Sequence, residues 1–340
     1  MKTLRITLPI GRTFLQAALV LLVFCAVLEL FARTPVAKFL FPRVSYGSSH
    51  PHFEVQLTRL KERYAKEGGI DCIFIGNSQV LYGINPSVVE QAYQEKTGQT
   101  IRCQNFGLGG LTPLTAGPLA RMLIRNFHPS LIVFETGVLD YSTSSMEGTD
   151  ESIMSSPWMK YQLGHVSLDG WLYENSYAFR MVAGIDRTLK YIEESNTHIE
   201  WDGHAKLSGQ TTTSIEDQIQ FFETALSALE ITDRQVGGLE NLLSLNPSEV
   251  QVIIVETPIH PTFYQIKRKV RNLYPTFENM LTFQTHQADA DLWLTRNEIG
   301  LPAEEWHDLA HLNEEGSIRF SRQIGYFLAR AYTLPSSSKP

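Results

Sequence analysis

Three short stretches of this 340-residue chain hold residue types that could perform acyl chemistry together. The first is DCIFIGNSQVLYG, Asp71–Gly83. Cys72–Ile75 is a run of β-branched, aromatic and small apolar residues closed by Gly76 and Asn77, so it reads as a buried parallel strand ending in a sharp turn. Ser78 then falls just past the carboxyl end of that strand, where open α/β sheets place their ligand chemistry. A hydroxyl there becomes a nucleophile when a base and an oxyanion site reach it, and is otherwise a helix cap or turn former. The second stretch is DLAHLNEEG, Asp308–Gly316. An aspartate three residues before a histidine lets the carboxylate take one ring nitrogen, fixing the tautomer and freeing the other nitrogen to deprotonate a serine. The competing reading is a surface loop that caps the last helix, and His307 with Glu304–Glu305 shows how readily such pairs arise. The third stretch is QNFGLGGLTP, Gln104–Pro113, whose glycines let backbone N–H groups approach a ligand closely. Gly110 is the candidate donor to an oxyanion, the alternative being a turn that needs unusual dihedrals. His260, in ETPIHP after a later strand, is a reserve base without a carboxylate at similar spacing.

These residues need a sheet to bring them together, and the chain alternates strand and helix. After the strand at 72–75, proline opens a helix at Asn85–Pro86 that Gly98 stops. Strands are expected at Ile101–Phe106, Leu131–Thr136, Val250–Glu256 and Leu281–Gln284, and helices at Thr115–Phe127 and Gly316–Ala331. Strands separated by helices predict a parallel sheet of about five strands covered on both faces, a three-layer α/β/α domain. Asp140–Thr213 is too long for an ordinary crossover and reads as an insertion over the active-site end. Its aromatic residues, Trp158, Trp171 and Trp201 among them, could stack on sugar rings or simply pack a small core of their own. Ser214 with Asp217 resembles a capping box and starts the next helix.

Hydrophobic content of 43% and charged content of 19% suit a globular protein rather than a disordered one. A net charge of −7, with no basic run longer than Lys267–Lys269, argues against nucleic acid as a partner. Thr13–Ala32 is one bilayer-spanning length whose strongly polar members are Gln16 and Glu29. Lys2, Arg5 and Arg12 precede it, as on a cytoplasmic flank, while Arg33, Lys38 and Arg43 blunt the bias. The run is long for the apolar core of a cleavable signal peptide, and Phe24 is too bulky for the residue before a lipoprotein cysteine at Cys25. An uncleaved anchor contacting membrane lipid, with the body outside the cytoplasm, is the expectation. The domain plan is then a stub and anchor at 1–34, a linker and lead-in helix (Gln56–Lys66) at 35–70, the α/β domain with its insertion at 71–331, and a frayed tail at 332–340. Cys72 and Cys103 fall on neighbouring strands and are expected to be buried free thiols. No CxxC or HExxH spacing occurs, and no metal or other cofactor is called for.

Taken together, the three stretches resemble the SGNH (GDSL-type) hydrolase superfamily over about Asp71–Ala331 outside the insertion. GNSQV resembles the first block, with GNS in place of GDS; NFGLGG matches the second block's NxGxxG pattern; and DLAHLNEEG matches the fifth. The resemblance implies a flavodoxin-like fold, a triad of Ser78, Asp308 and His311, and oxyanion donation from Gly110. The third block departs: GxND reads GVLD, Gly137–Asp140, so Leu139 stands where an asparagine normally donates to the oxyanion. The Ser78 and Gly110 amides then suffice, or another side chain such as Asn105 fills the position, or the site is weak. An anchor followed by such a domain is also similar to the acyl-transfer partners of polysaccharide and cell-wall modification systems. That layout implies a serine O-acyltransferase or O-acylesterase acting on an exported glycan beside a membrane-bound O-acyltransferase. The alternative is a non-catalytic module of the same fold that holds glycan for such a partner.

Overall fold

Five strands form one sheet: β1 (Cys72–Gly76), β2 (Cys103–Gly107), β3 (Leu131–Thr136), β4 (Gln251–Glu256) and β5 (Asp291–Trp293). Their order is β2-β1-β3-β4-β5, and every neighbouring pair is parallel. This is the flavodoxin-like order, whose crevice opens between β1 and β3 where the winding reverses. The computed structural model describes residues 10–41, 44–141, 147–185, 198–227, 229–245, 248–265, 268–295 and 298–334. The tail read as frayed lies outside these from residue 335 on.

Because the strands are buried on both faces, their side chains divide by alternation. Ile73, Ile75, Ile132, Phe134, Val252 and Ile254 join one core, while Cys72, Phe74, Leu131, Val133, Ile253 and Val255 join the other. The first core is covered by helices α3 (Pro51–Glu67) and α6 (Pro113–Phe127), and by the later helices α12 (Asp233–Leu243) and α13 (Arg268–Gln287). The second is covered by α5 (Pro86–Thr97) and the C-terminal helix, through Val89 and Tyr93 on one and Phe320, Ile324 and Leu328 on the other. The domain is therefore a three-layer α/β/α structure with a five-stranded parallel sheet. Between β1 and α5 lies the short helix α4 (Ser78–Gly83).

The N-terminal region begins with α1 (Ile10–Ala32), which includes the apolar run Thr13–Ala32, long and apolar enough to cross a membrane. Helix α2 (Pro35–Leu40) follows immediately. Residues 35–70 differ from the expected linker. Helix α3 starts at Pro51 rather than Gln56, with His50 accepting the Phe53 N–H as its cap, and Phe53, Leu57 and Leu60 are wholly buried in the first core. Side chains at i, i+4 and i+7 form the apolar stripe that fastens a helix to a sheet, so this segment is part of the domain.

The fifth strand also differs. Leu281–Gln284 lies inside α13 (Arg268–Gln287), and the strand is β5 instead. Phe277, Leu281 and Thr285 are buried at helical spacing, and a four-residue window cannot distinguish that period from a buried strand.

Between β3 and β4 run α7 (Glu147–Met154), α8 (Pro157–Gln162), α9 (Leu168–Asn175), α10 (Tyr177–Ala183), α11 (Ile215–Ser227) and α12 (Asp233–Leu243). Helix α14 (Glu314–Ala331) closes the described fold. The Ser214–Asp217 capping pair forms as expected, the Asp217 amide donating to Ser214 Oγ. Trp158 is fully buried in the first core and edges against Tyr46, so packing accounts for it. Residues near Gly203 cover the outer edge of β2: the Asn105 amide donates to Asp202 O, and Gln56 Nε2 to Gly203 O. That removes an unpaired edge.

Cys72 and Cys103 are register partners on β1 and β2, both fully buried and both free. Intact-mass measurement of the native protein before and after reduction should therefore give one and the same mass. A shift on reduction would show that the thiols are oxidised.

Candidate active site

A six-residue helix has almost no stability of its own, so α4, which begins with Ser78, must be held from outside. Asn77 caps it, its Oδ1 accepting the Gln79 N–H at 2.6 Å. The same side chain donates through Nδ2 to Asp140 Oδ1 at 2.6 Å, and Asp140 Oδ2 accepts the Gly137 amide and the Thr136 hydroxyl. The turn after β1 and the turn after β3 are thereby locked across the crevice. Gly76 and Gly107 allow α4 to lie against the strand ends. A Cβ on Gly76 would stand 2.3 Å from Val80 Cγ2, and one on Gly107 would stand 2.3 Å from the Leu81 nitrogen. Asn105, wholly buried on β2, donates Nδ2 to the carbonyls of Val80 and Ile84 at 2.7 Å and accepts the Gly107 amide at 2.8 Å. Its donors are spent on the α4 backbone. Asn105 is a clamp on the serine's helix, which corrects its reading as an oxyanion or substrate-binding residue.

Ser78, His311 and Asp308 lie together. Ser78 Oγ is 2.8 Å from His311 Nε2, and His311 Nδ1 is 2.9 Å from Asp308 Oδ2. Asp308 Oδ1 accepts the amides of Ala310 and His311, each at 2.7 Å, so the DxxH loop is closed on its own carboxylate. Burial pushes the Asp308 carboxyl up, but the hydrogen bonds from His311 and the two amides outweigh it and leave the group below its ordinary value. The aspartate is thus an anion positioned to hold the Nδ1 proton and leave Nε2 to accept one from Ser78. The ring is steadied edge-on by Tyr82, with centroids 5.4 Å apart, and the loop leads into α14, capped by Asn313.

Gly110 follows β2 with φ +78°, and a Cβ there would meet Thr149 Oγ1 of α7 at 2.8 Å. The peptide before it is gripped by two histidines that sequence reading missed. His50 Nδ1 accepts the Phe53 amide, which puts its proton on Nε2, and Nε2 donates to Gly109 O at 3.0 Å. His52 Nδ1 accepts the Gly109 amide at 3.3 Å. Gly109 C=O and Gly110 N–H share one peptide plane, so a donor on that carbonyl orients and polarises that N–H. The available sign was the pair His50–Pro51, a cap followed by proline at the first helical position, but histidine is not among the preferred caps.

Leu139 is half-buried and lines a cleft beside the relay, together with Gln79, Gly137, Thr257, His260 and Ala310. Gln79 ties the serine helix to the histidine loop, its Nε2 donating to Ala310 O at 2.9 Å. His260 is buried; its Nδ1 accepts the Thr262 amide and its ring meets Trp306 edge-on. Burial lowers it below the ordinary histidine value, against the opposing pull of Asp308. Glu135, in β3, is driven up to about 8 by burial, and Asp140 to about 6 by burial, the latter despite its three hydrogen bonds. Among the described residues, no group of three His, Cys, Asp or Glu side chains could hold a metal ion.

No protein-family model matches this chain, and no curated protein matches it. Solved structures do. A carbohydrate acetylesterase from Sinorhizobium meliloti is 11% identical, with 78% of this chain and 100% of that one covered at a TM-score of 0.37. The native aryl esterase of M. smegmatis is 9% identical over 78% and 100%, at 0.37. A catalytic mutant of an acetylxylan esterase from Geobacillus stearothermophilus is 12% identical over 79% and 97%, at 0.38. At such scores the likeness carries no weight for activity, and the fold is defined by the chain's own strand order.

His52 yields a pH prediction. Burial first, and then the nearby His50, lower it from 6.5 to about 4. A depressed histidine contributes stability that is present above the unfolded value and lost as pH falls, here between 6.5 and about 4. The full loss is on the order of 3 kcal/mol. His52→Asn keeps an acceptor for the Gly109 amide but cannot titrate, so denaturant unfolding should show it losing less stability than wild type over that interval. Equal losses would remove His52 from the account.

Proposed function

We propose that this protein is a membrane-anchored, extracytoplasmic serine O-acyltransferase or O-acylesterase of the SGNH type, acting on an exported polysaccharide or cell-wall glycan. The observation that carries the reading is the unbroken relay from Ser78 Oγ through His311 to Asp308, at 2.8 and 2.9 Å. In this mechanism Ser78 Oγ attacks the acyl carbonyl while His311 Nε2 takes its proton, and Asp308 stabilises the imidazolium. The Ser78 amide, which has no intrahelical acceptor in the first turn of α4, and the Gly110 amide receive the oxyanion. Collapse breaks the bond to the leaving alcohol, which takes the proton from His311, and leaves an acyl-serine. A sugar hydroxyl or water, deprotonated by His311, then attacks that ester, and Ser78 regains its proton. The helix Thr13–Ala32 supplies the anchor, and a membrane-bound O-acyltransferase is the partner that would deliver the acyl group.

Leu139 favours transfer over hydrolysis. It places a branched apolar side chain in the cleft where a third oxyanion donor would stand, making the site drier for a free water while leaving a bound sugar hydroxyl in place. It also supports a second reading, a glycan-holding module without catalysis.

Two measurements separate these readings. A fluorophosphonate should label the wild type covalently and leave Ser78→Ala unlabelled, with the melting temperature nearly unchanged because Ser78 is half-buried and, among the described residues, its hydroxyl bonds to His311 alone. An unlabelled wild type would support the glycan-holding module. One oxyanion donor is worth about 10²–10³ in rate. Leu139→Asn should therefore speed hydrolysis of a small acetyl ester. A wild type that already hydrolyses such esters at ordinary esterase rates would remove the basis for the transferase preference.

A further inference from the structure

Glu29 stands one helical turn before the end of the apolar span in α1, where a lone carboxylate is costly in a bilayer. It is not alone. Glu29 Oε2 accepts the Ser176 hydroxyl at 2.8 Å and the Ala178 amide at 3.0 Å, and Oε1 accepts the Tyr177 amide at 2.9 Å. Arg33, one turn on, adds an ion pair at 2.7 Å. The groups that bind this carboxylate must lie at its own depth. Since α1 rises only about 1.5 Å per residue, the start of α10 is within about 5 Å of the level at which the span ends.

Around that point the surface is apolar. Ala32, Ala37, Ala178 and Met181 bury one another where α1, α2 and α10 meet. The outward side chains of the same elements have no protein cover: Phe39 is 85% exposed, and Val36, Leu40 and Val182 are each more than half exposed. Ser176 is both the last cap of α9 and the first of α10, so the C-terminal end of α9 is held at the same level, and Leu168 and Trp171 are exposed on that helix. Arg33 and Lys38, the latter over the Tyr177 ring, provide cations beside this patch. Exposed aliphatic residues, a tryptophan and basic side chains at one level are the composition of a bilayer interface.

We infer that α2, α9 and α10 are seated in the interfacial layer of the membrane that α1 spans, so that the catalytic domain rests on the bilayer instead of swinging from it. The inference rests on the anchor reading given above. It adds an orientation: Glu29 is the pin that fixes the domain to its anchor, and the lipid surface is the occupant of the exposed apolar face.

The test uses the full chain in vesicles of phosphatidylcholine and phosphatidylglycerol, with a fluorophore on one cysteine at a time. Native Cys25, exposed in α1, reports on the anchor, while Cys72 and Cys103 are buried and stay unlabelled. In a Cys25→Ser background, Phe39→Cys and Val182→Cys report on the seat, and Gln94→Cys on the exposed side of α5 is the aqueous control. The quencher is a phosphatidylcholine with its nitroxide near the headgroup for positions 39, 94 and 182, and one with its nitroxide on the acyl chain for Cys25, which lies about 10 Å inside the end of the span. Quenching several-fold stronger at positions 39 and 182 than at 94, with Cys25 also quenched, is the expected result. If Cys25 is quenched while 39 and 182 behave like 94, the seat is overturned and the anchor stands. If Cys25 itself is unquenched, the anchor reading fails and the seat fails with it.

Discussion

Everything in the site depends on a helix too short to exist by itself. The six residues of α4 present Ser78, and their backbone is fixed from three directions. Asn105 ties down the carbonyls of Val80 and Ile84 from below, Asn77 binds the front to Asp140, and Gln79 reaches across to the histidine loop. The glycines at the ends of β1 and β2 are the steric condition for this arrangement, since a methyl group at either would collide with the helix. On the proposed reading, holding the Ser78 hydroxyl in this way replaces conformational entropy lost during reaction with entropy already lost during folding.

With the serine fixed, the remaining groups are sorted by environment. Asp308 and Glu135 are both carboxyl groups near the carboxyl end of the sheet, yet they are shifted in opposite directions. Asp308 sits in a ring of N–H donors that outweighs its desolvation, whereas burial drives Glu135 up to about 8. One is therefore an anion suited to steadying an imidazolium, and the other holds its proton because burial penalises its charge. Such a separation is how a fold assigns different tasks to chemically identical side chains.

Much of this was legible in the sequence where a single physical period dominates. β1, β3 and β4 are continuous apolar runs because both faces of the sheet are covered, and the turns after β1 and before α14 have recognisable chemistry. Ser78, Asp308 and His311 stood out for that reason. β5 has three residues at a partly exposed edge and offers no such run, while Leu281–Gln284 imitates a strand from within a helix. Asn105 was legible as important and illegible in its role: a buried asparagine in a strand serves equally as a donor to ligand or to backbone, and only the position of two carbonyls decides between them. The His50 and His52 grip on Gly109 joins residues more than fifty positions apart, which no local pattern encodes.

The same separation along the chain bears on the order of assembly. Ser78 and His311 are 233 residues apart, and the histidine is carried by the loop that precedes the final helix. A chain emerging N-terminus first presents its serine long before it possesses a base. Until α14 docks against α4 and α5 the hydroxyl is an ordinary alcohol. On the proposed reading, nucleophilicity is thus switched on by the completion of folding.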